Sequence, residues 1–222
     1  MNSDRQNLVG MDGCRGGWLA VGERDGRHFV ELWETLGCLF EKPWDACSID
    51  MPIGLKFGKE RRECDQLARE LLGAARSSVF FSPPRELLEA RDYDQVRTHG
   101  MSLQTFYLLP KIRQLDHVMT PESQNFIREA HPELAFRIRK DDLAKKRSVE
   151  GQKQRQELLV EMGSPFQLSQ WKCSFRRKEV ALDDFLDAAI LLEVSRAWLA
   201  GDKRRVGGTE RDKKGLRMEI CF

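Results

Sequence analysis

With 222 residues, 41% of them hydrophobic, the chain can bury the core of an ordinary domain, and a 32% charged content that balances to +2 excludes a polycation that binds nucleic acid over its whole surface. No stretch has the apolar run needed to span a bilayer, and residues 1–10 carry no signal-peptide core, so a membrane location is not expected. The six cysteines are scattered, with no C-x-x-C pair and no histidine at zinc-like spacing, and imply free thiols in a reducing, cytoplasmic setting.

The chain opens with strand patterns. Residues 6–11 form an apolar run ending in Asp12-Gly13. Gly16-Gly17 precede a second run at 18–21, and Asp25-Gly26 separates it from a third at 28–33, a strong hairpin signal. Three consecutive antiparallel strands are expected, with Asp12 at the turn that ends the first. Residues 46–50 predict a fourth strand, stopped by Pro52, which cannot donate to a ladder. The pattern then turns helical. Cys64, Leu67, Ala68, Leu71 and Leu72 give an amphipathic helix ending at Gly73; Pro84 starts another over 85–97; Ser102 caps a third, which Pro110 should kink or interrupt. These helices read as an insertion, at roughly 56–122, within a single domain spanning 1–222.

Residues 125–129 return to a strand, and continued extension would put Glu129, His131 and Glu133 on one face. Eight basic residues (Arg137, Arg139, Lys140, Lys145, Lys146, Arg147, Lys153, Arg155) crowd positions 137–156, where a solvated face competes with phosphate contacts. A helix over 152–162 follows. A second basic cluster, Lys172, Arg176, Arg177 and Lys178, is interleaved with Trp171 and Phe175, which could stack on an unpaired base. The longest apolar helix begins near Asp184, a mobile loop is expected over 201–215, and 216–222 closes as a strand.

Four carboxylates carry the chemistry. Asp187 lies on the apolar stripe of the long helix with Ile190, Leu191, Val194 and Trp198, where an unpaired charge costs several kcal/mol. Asp184 lies one turn earlier on nearly the same face, although Asp183 or Asp184 also suits an N-cap. Asp12 and Asp50 end predicted strands, where α/β sheets gather their sites, and each is also an ordinary turn residue. Gathered together, the four would repel one another unless divalent cations bridged them, and oxygen-only ligation selects Mg²⁺ or Mn²⁺.

Several segments, in order, carry a resemblance. They are Gly10-Met11-Asp12-Gly13-Cys14 with Gly17-Trp18; Ile49-Asp50-Met51-Pro52-Ile53-Gly54-Leu55; Cys64-Asp65 with Ala68-Arg69; and Ser78-Val79-Phe80 with Pro83-Pro84. Ser102-x-Gln104, Pro110-Lys111-Ile112, Glu129-Ala130-His131-Pro132-Glu133-Leu134, the stretch from Asp184 to Ala188, and Gly215-Leu216 with Met218-Glu219-Ile220 continue it. The chain resembles an uncharacterised bacterial family of predicted nucleases with the ribonuclease H-like fold, and its acidic pattern is similar to that of RuvC-type Holliday junction resolvases. The resemblance implies an α/β fold: a mixed sheet of three antiparallel strands plus a parallel extension, flanked by helices. It also implies a cytoplasmic nuclease in which Asp12, Asp50, Asp184 and Asp187 hold two Mg²⁺ or Mn²⁺ ions about 3.5–4 Å apart for phosphodiester hydrolysis. Its partner would be nucleic acid, with no membrane, and a homodimer if it pairs as resolvases do. Two departures are the aspartate on the fourth strand, where resolvases carry glutamate, and the segment Glu129-x-His131-Pro132-Glu133, which they lack.

Glu129 or Glu133 would then add a ligand, His131 would orient water or phosphate, and Gln104 with Lys111 would line the cleft. A surface His-Pro turn explains the 129–133 segment nearly as well, and an ordinary solvated lysine explains Lys111 better. Two further readings stay open: a non-catalytic nucleic-acid or protein binding module on the same fold, and an actin/hexokinase-like phosphotransferase. The latter would need a second phosphate loop.

Overall fold

The computed structural model describes residues 6–166, 175–176 and 178–222. In chain order the strands and helices begin with β1 (Leu8–Cys14), β2 (Gly17–Arg24), β3 (Arg27–Trp33), β4 (Ala46–Ile49), α1 (Glu63–Leu72), α2 (Tyr93–Arg97) and α3 (Leu103–Val118). They continue with β5 (Ile127–Glu129), α4 (Pro132–Arg137), α5 (Val149–Glu161), α6 (Leu182–Leu199), β6 (Arg205–Arg211) and β7 (Arg217–Cys221). The chain falls into two compact units, one of residues 1–50, 130–204 and 221–222, the other of 51–129 and 205–220.

The first unit is an α/β structure on a mixed sheet. Asp25 and Gly26 both take positive φ (53° and 74°), the conformation that a tight hairpin turn demands, and join β2 to β3 antiparallel. β1 pairs antiparallel with β2 on one side and parallel with β4 on the other. Beyond β4 the ladder continues, with the Ala130 amide donating to the Ile49 carbonyl at 3.0 Å and Ala130 bridging parallel to Cys221. Asp12 is not in a turn, as its neighbour Gly13 suggested: β1 runs on to Cys14, with Asp12 opposite Leu19 and Gly13 opposite Trp18. The reversal falls instead at Arg15-Gly16, where Gly17 adopts φ 138°.

Helix α6 lies against this sheet and is buried all round from Phe185 to Ser195. Gly10 makes the approach possible. A Cβ there would stand 2.2 Å from the Ala188 carbonyl oxygen and the Leu192 nitrogen, so any side chain would push the helix off. Ser195 then pins it, donating to the Val9 carbonyl at 3.0 Å and bonding the Ser48 hydroxyl at 2.8 Å. The helix starts at Leu182 with Ala181 as its N-cap, not at Asp183 or Asp184. Asp184 instead reaches back from the third position to accept the Ala181 amide at 2.7 Å. α5 starts at Val149, three residues before the expected 152, because Ser148 accepts the Gly151 amide as its cap.

The second unit is tied by two arginines. Buried Arg62 is described below; Arg85 reaches Asp116 and Asp212, and Asp212 also accepts the Leu55 and Leu216 amides. The helix expected over 85–97 is two pieces, a 3-10 turn at Arg85–Glu89 and α2, because Asp92 caps a fresh start by accepting the Gln95 amide. Pro110 does not interrupt α3. It sits on the exposed face, so the hydrogen bond its ring forfeits is lost on the solvent side. Nor is 201–215 a loop, since β6 pairs with β7. Gly207 and Gly208 that suggested a loop are required there: at φ 77° a Cβ on Gly207 would lie 2.7 Å from the Cys64 Cβ.

Candidate metal centre

Three of the four predicted carboxylates converge. One oxygen from each of Asp12, Asp50 and Asp187 lies within 4.8 Å of the others, all inside the first unit. The backbone explains why. Asp12 follows Gly10 by two residues on β1 and so faces α6 with it. Asp50 follows β4, its amide still in the ladder to the Met11 carbonyl at 3.0 Å. Asp187 shares its helix face with Leu191 and Ser195, one and two turns on, and Ser195 is bonded to β1 and β4.

Burial and mutual repulsion set the electrostatics. Asp12 is 8% exposed, and among the described residues no donor bonds its carboxylate. Burial, then the charges of Asp187 and Asp50, push its pKa well above the ordinary 3.8, against the pull of Lys146. Asp187 is pushed up to about 6, chiefly by burial, although Lys146 donates to its Oδ2. For Lys146 burial opposes the charge, yet Asp187 and Asp12 outweigh it and raise the ammonium above its usual range. Asp184 is outside the triad, its carboxylate engaged with the Ala181 amide, and its pKa is raised mainly by burial.

The remaining predicted residues fall elsewhere. His131 does not continue an extended face; its ring accepts the Leu134 amide at 3.4 Å, and Pro132 starts α4, so the period-two pattern of Glu129, His131 and Glu133 breaks at proline. Glu133 takes Arg155 in two bonds, 3.0 and 2.7 Å, and Arg137 at 2.6 Å. Burial works against its charge, and the two arginines prevail and hold it below the usual carboxylate range. Glu129, in the second unit, binds Arg62 through both oxygens at 2.7 Å and accepts the Ile53 amide; burial drives it up to about 6 despite that pairing. Gln104 is exposed and Lys111 half-buried on α3. Arg176 and Lys178 are exposed just before α6, whereas Lys172, Arg177 and Trp171 lie outside the described residues. Phe175 packs half-buried against the core, which removes it as a free stacking platform.

Lys146 is the site residue that the sequence reading left among solvated bases. A signal was present. Lys145-Lys146-Arg147 directly precede the cap of α5, where three cations face the positive end of a helix and need acids nearby. They have them: Lys146 takes Asp187, and Arg147 takes Asp183 at 3.2 Å.

The donor set fits a cation. Three carboxylates drawn this close, two of them buried, repel one another as they stand and are favourable around a positive ion. Fold and cluster together define an α/β protein with a carboxylate triad able to hold a metal ion. Residues 10–211 match the family described as "Protein of unknown function (DUF429)", and the chain belongs to that family. No curated protein matches the chain, and no solved structure does. Among the described residues no helix is long and apolar enough to cross a membrane.

Proposed function

We propose that this protein is a divalent-metal-dependent nuclease of ribonuclease H-like type, hydrolysing phosphodiester bonds. The observation that carries the reading is the convergence of Asp12, Asp50 and Asp187, one oxygen of each within 4.8 Å of the others and both Asp12 and Asp187 buried. Its support is the arrangement of the first unit. Two adjacent parallel strands each deliver an acid, and the helix lying on them delivers a third, the pattern expected from the resemblance to RuvC-type resolvases.

Asp12, Asp50 and Asp187 would hold Mg²⁺ or Mn²⁺, which when bound polarises a phosphoryl oxygen and acidifies water. The chain's own part is to hold the acids rigid through Gly10 and Ser195. Exposed Arg176 and Lys178, next to the start of α6, would take the phosphates of a nucleic-acid strand.

A panel of labelled single-stranded, duplex and four-way-junction DNA and RNA, incubated with Mg²⁺ or Mn²⁺, tests this. Asp12→Asn should lower cleavage on the order of 10³-fold with the circular dichroism spectrum unchanged. Full activity of that variant on every substrate the parent cuts would remove Asp12 from the chemistry, and no cleavage of any substrate by the parent would end the nuclease reading. A non-catalytic binding module has one observation on its side, since Lys146 already supplies a positive charge to the acids. It predicts no affinity for millimolar Mn²⁺.

A further inference from the structure

The second unit holds a cavity of about 270 Å³ where three separate stretches of its chain meet: residues 58–61, Ser82 with Pro84, and Thr98-His99 with Met101. That volume falls below the range usual for drug-sized organic ligands, so it suits a small polar group. We infer that it is a phosphate-binding pocket, in which Lys59 and Arg61 take a phosphate group. The inference stands apart from the metal-centre reading, since the acidic triad belongs wholly to the other unit.

Two consecutive arginines carry the argument. Arg62 is buried and spends its donors within the scaffold, on Asp65, Glu129 and the Ile53 carbonyl. Arg61 is exposed and lines the cavity. Its guanidinium carbon lies 3.8 Å from the centroid of the Phe81 ring, a cation–π contact. Stacking uses the flat face of a guanidinium, whereas its five N–H groups lie in the plane, around the edge. Among the described residues no acceptor takes those of Arg61. The ring is itself held, with Arg69 at 4.7 Å from its centroid and donating to the Arg76 carbonyl at 3.0 Å.

The charge around the cavity is the second support. Lys59 has no acidic partner among the described residues, and the acid beside it, Glu60, lies 3.5 Å from the Lys56 ammonium. His99 adds a nitrogen. Its Nδ1 is 3.1 Å from the Gln95 carbonyl, which can only accept, so Nδ1 carries the proton and protonation of Nε2 adds a further donor. One arginine fork satisfies a planar carboxylate, whereas cationic groups from separate stretches fit a tetrahedral dianion better. The walls are also fixed in place. The Gly58 amide donates to Glu86 at 2.7 Å, the Ser82 amide to Asp65 at 2.8 Å, and the Tyr93 hydroxyl to the Met101 carbonyl at 3.3 Å.

Calorimetric titration of the full-length protein in EDTA tests this, with inorganic phosphate, a nucleoside monophosphate, and an oligonucleotide lacking terminal phosphates. The parent should bind millimolar phosphate, and acetate about tenfold more weakly. Arg61→Met and Lys59→Met should each weaken phosphate about tenfold with the circular dichroism spectrum unchanged. Lys42→Met, which removes an exposed charge from the first unit, should not. Displacement of phosphate by the oligonucleotide would assign the pocket to the diesters of a strand, by the nucleoside monophosphate alone to a monoester, and by neither to free phosphate; each keeps the inference. No phosphate binding by the parent, equal binding of acetate, unchanged affinity in both pocket variants, or an equal loss in Lys42→Met overturns it.

Discussion

The two units each bury a cluster of charges, and they do it in opposite ways. In the second unit Arg62 spends every donor. Nε and Nη2 go to Asp65, Nη1 and Nη2 to Glu129, and Nη1 also to the Ile53 and Gly54 carbonyls. The acids are equally occupied, Glu129 by the Ile53 amide and Asp65 by the Ser82 amide at 2.8 Å. In the first unit three acids converge, Lys146 donates to Asp187, and among the described residues no donor bonds Asp12. The arginine cluster is neutralised within itself and serves as scaffold; the acidic cluster, mounted by a glycine contact and a serine pin, has the composition of a site that could hold a cation. Burial alone does not separate the two, since it drives Asp187 and Glu129 alike to about 6.

The sharpest way to break the comparison is to unbalance the scaffold. Arg62→Met removes the cation that Asp65 and Glu129 share and leaves both buried, and breaking such a pair costs about 3–5 kcal/mol. Urea denaturation should show the loss, with no change in Mn²⁺ stoichiometry of the protein that remains folded. A loss below about 1 kcal/mol would show that Arg62 is dispensable, and that hydrogen-bond saturation does not mark the structural cluster.

The difference between the clusters was only half legible in the sequence. Asp50 and Asp187 were, because one precedes a proline that must end its strand and the other sits in an apolar helix. Asp12 was singled out as the acid that ends the first strand, but the strand end was set too early: β1 runs on to Cys14, because pairing with β2 overrode the turn chemistry of Asp-Gly. Asp184 falls outside the triad because one-turn spacing says where a side chain points, not which backbone amide it reaches first. Arg62 and Lys146 carry no periodic signal, since both meet partners far along the chain: Glu129 is 67 residues away and Asp187 41. The fold was clearer where patterns are local, as in the β1–β3 meander. It failed where glycines serve contact and not flexibility, as in β6.

A smaller perturbation tests whether the receptor depends on its mounting. Gly10→Ala puts a methyl group where backbone atoms of Ala188 and Leu192 already are, so α6 must move outward. Overpacking of this kind costs about 1–3 kcal/mol. Because Asp187 rides on that helix and Asp12 on the strand, Mn²⁺ affinity should fall at least tenfold even though no ligand is changed. Unaltered affinity in a folded Gly10→Ala protein would mean that the acids find the ion without the close helix–strand contact.

The smallest effect is also the one that most directly opposes structure to function. Without metal, Asp12 and Asp187 bind protons more tightly in the folded chain than in the unfolded one, whose ordinary value is 3.8. Their contribution to stability is therefore complete below about pH 3.8 and is lost as pH rises through about 6, where Asp187 ionises in the folded state. Asp12→Asn removes one of the buried charges and keeps an amide that can donate to the acids beside it. In EDTA at pH 7.5 it should therefore be more stable than the parent by about 1 kcal/mol, some 2–4 °C in Tm. The advantage should shrink at pH 4.5, because falling pH favours the protonated Asp12 that the folded parent prefers. Saturating Mn²⁺ should reverse the order, since about 100-fold excess over Kd adds about 2.7 kcal/mol to the parent and little to a variant that has lost a ligand. A variant less stable than the parent in EDTA at both pH values would mean that Asp12 is satisfied in the metal-free protein, and the contrast between the two clusters would vanish.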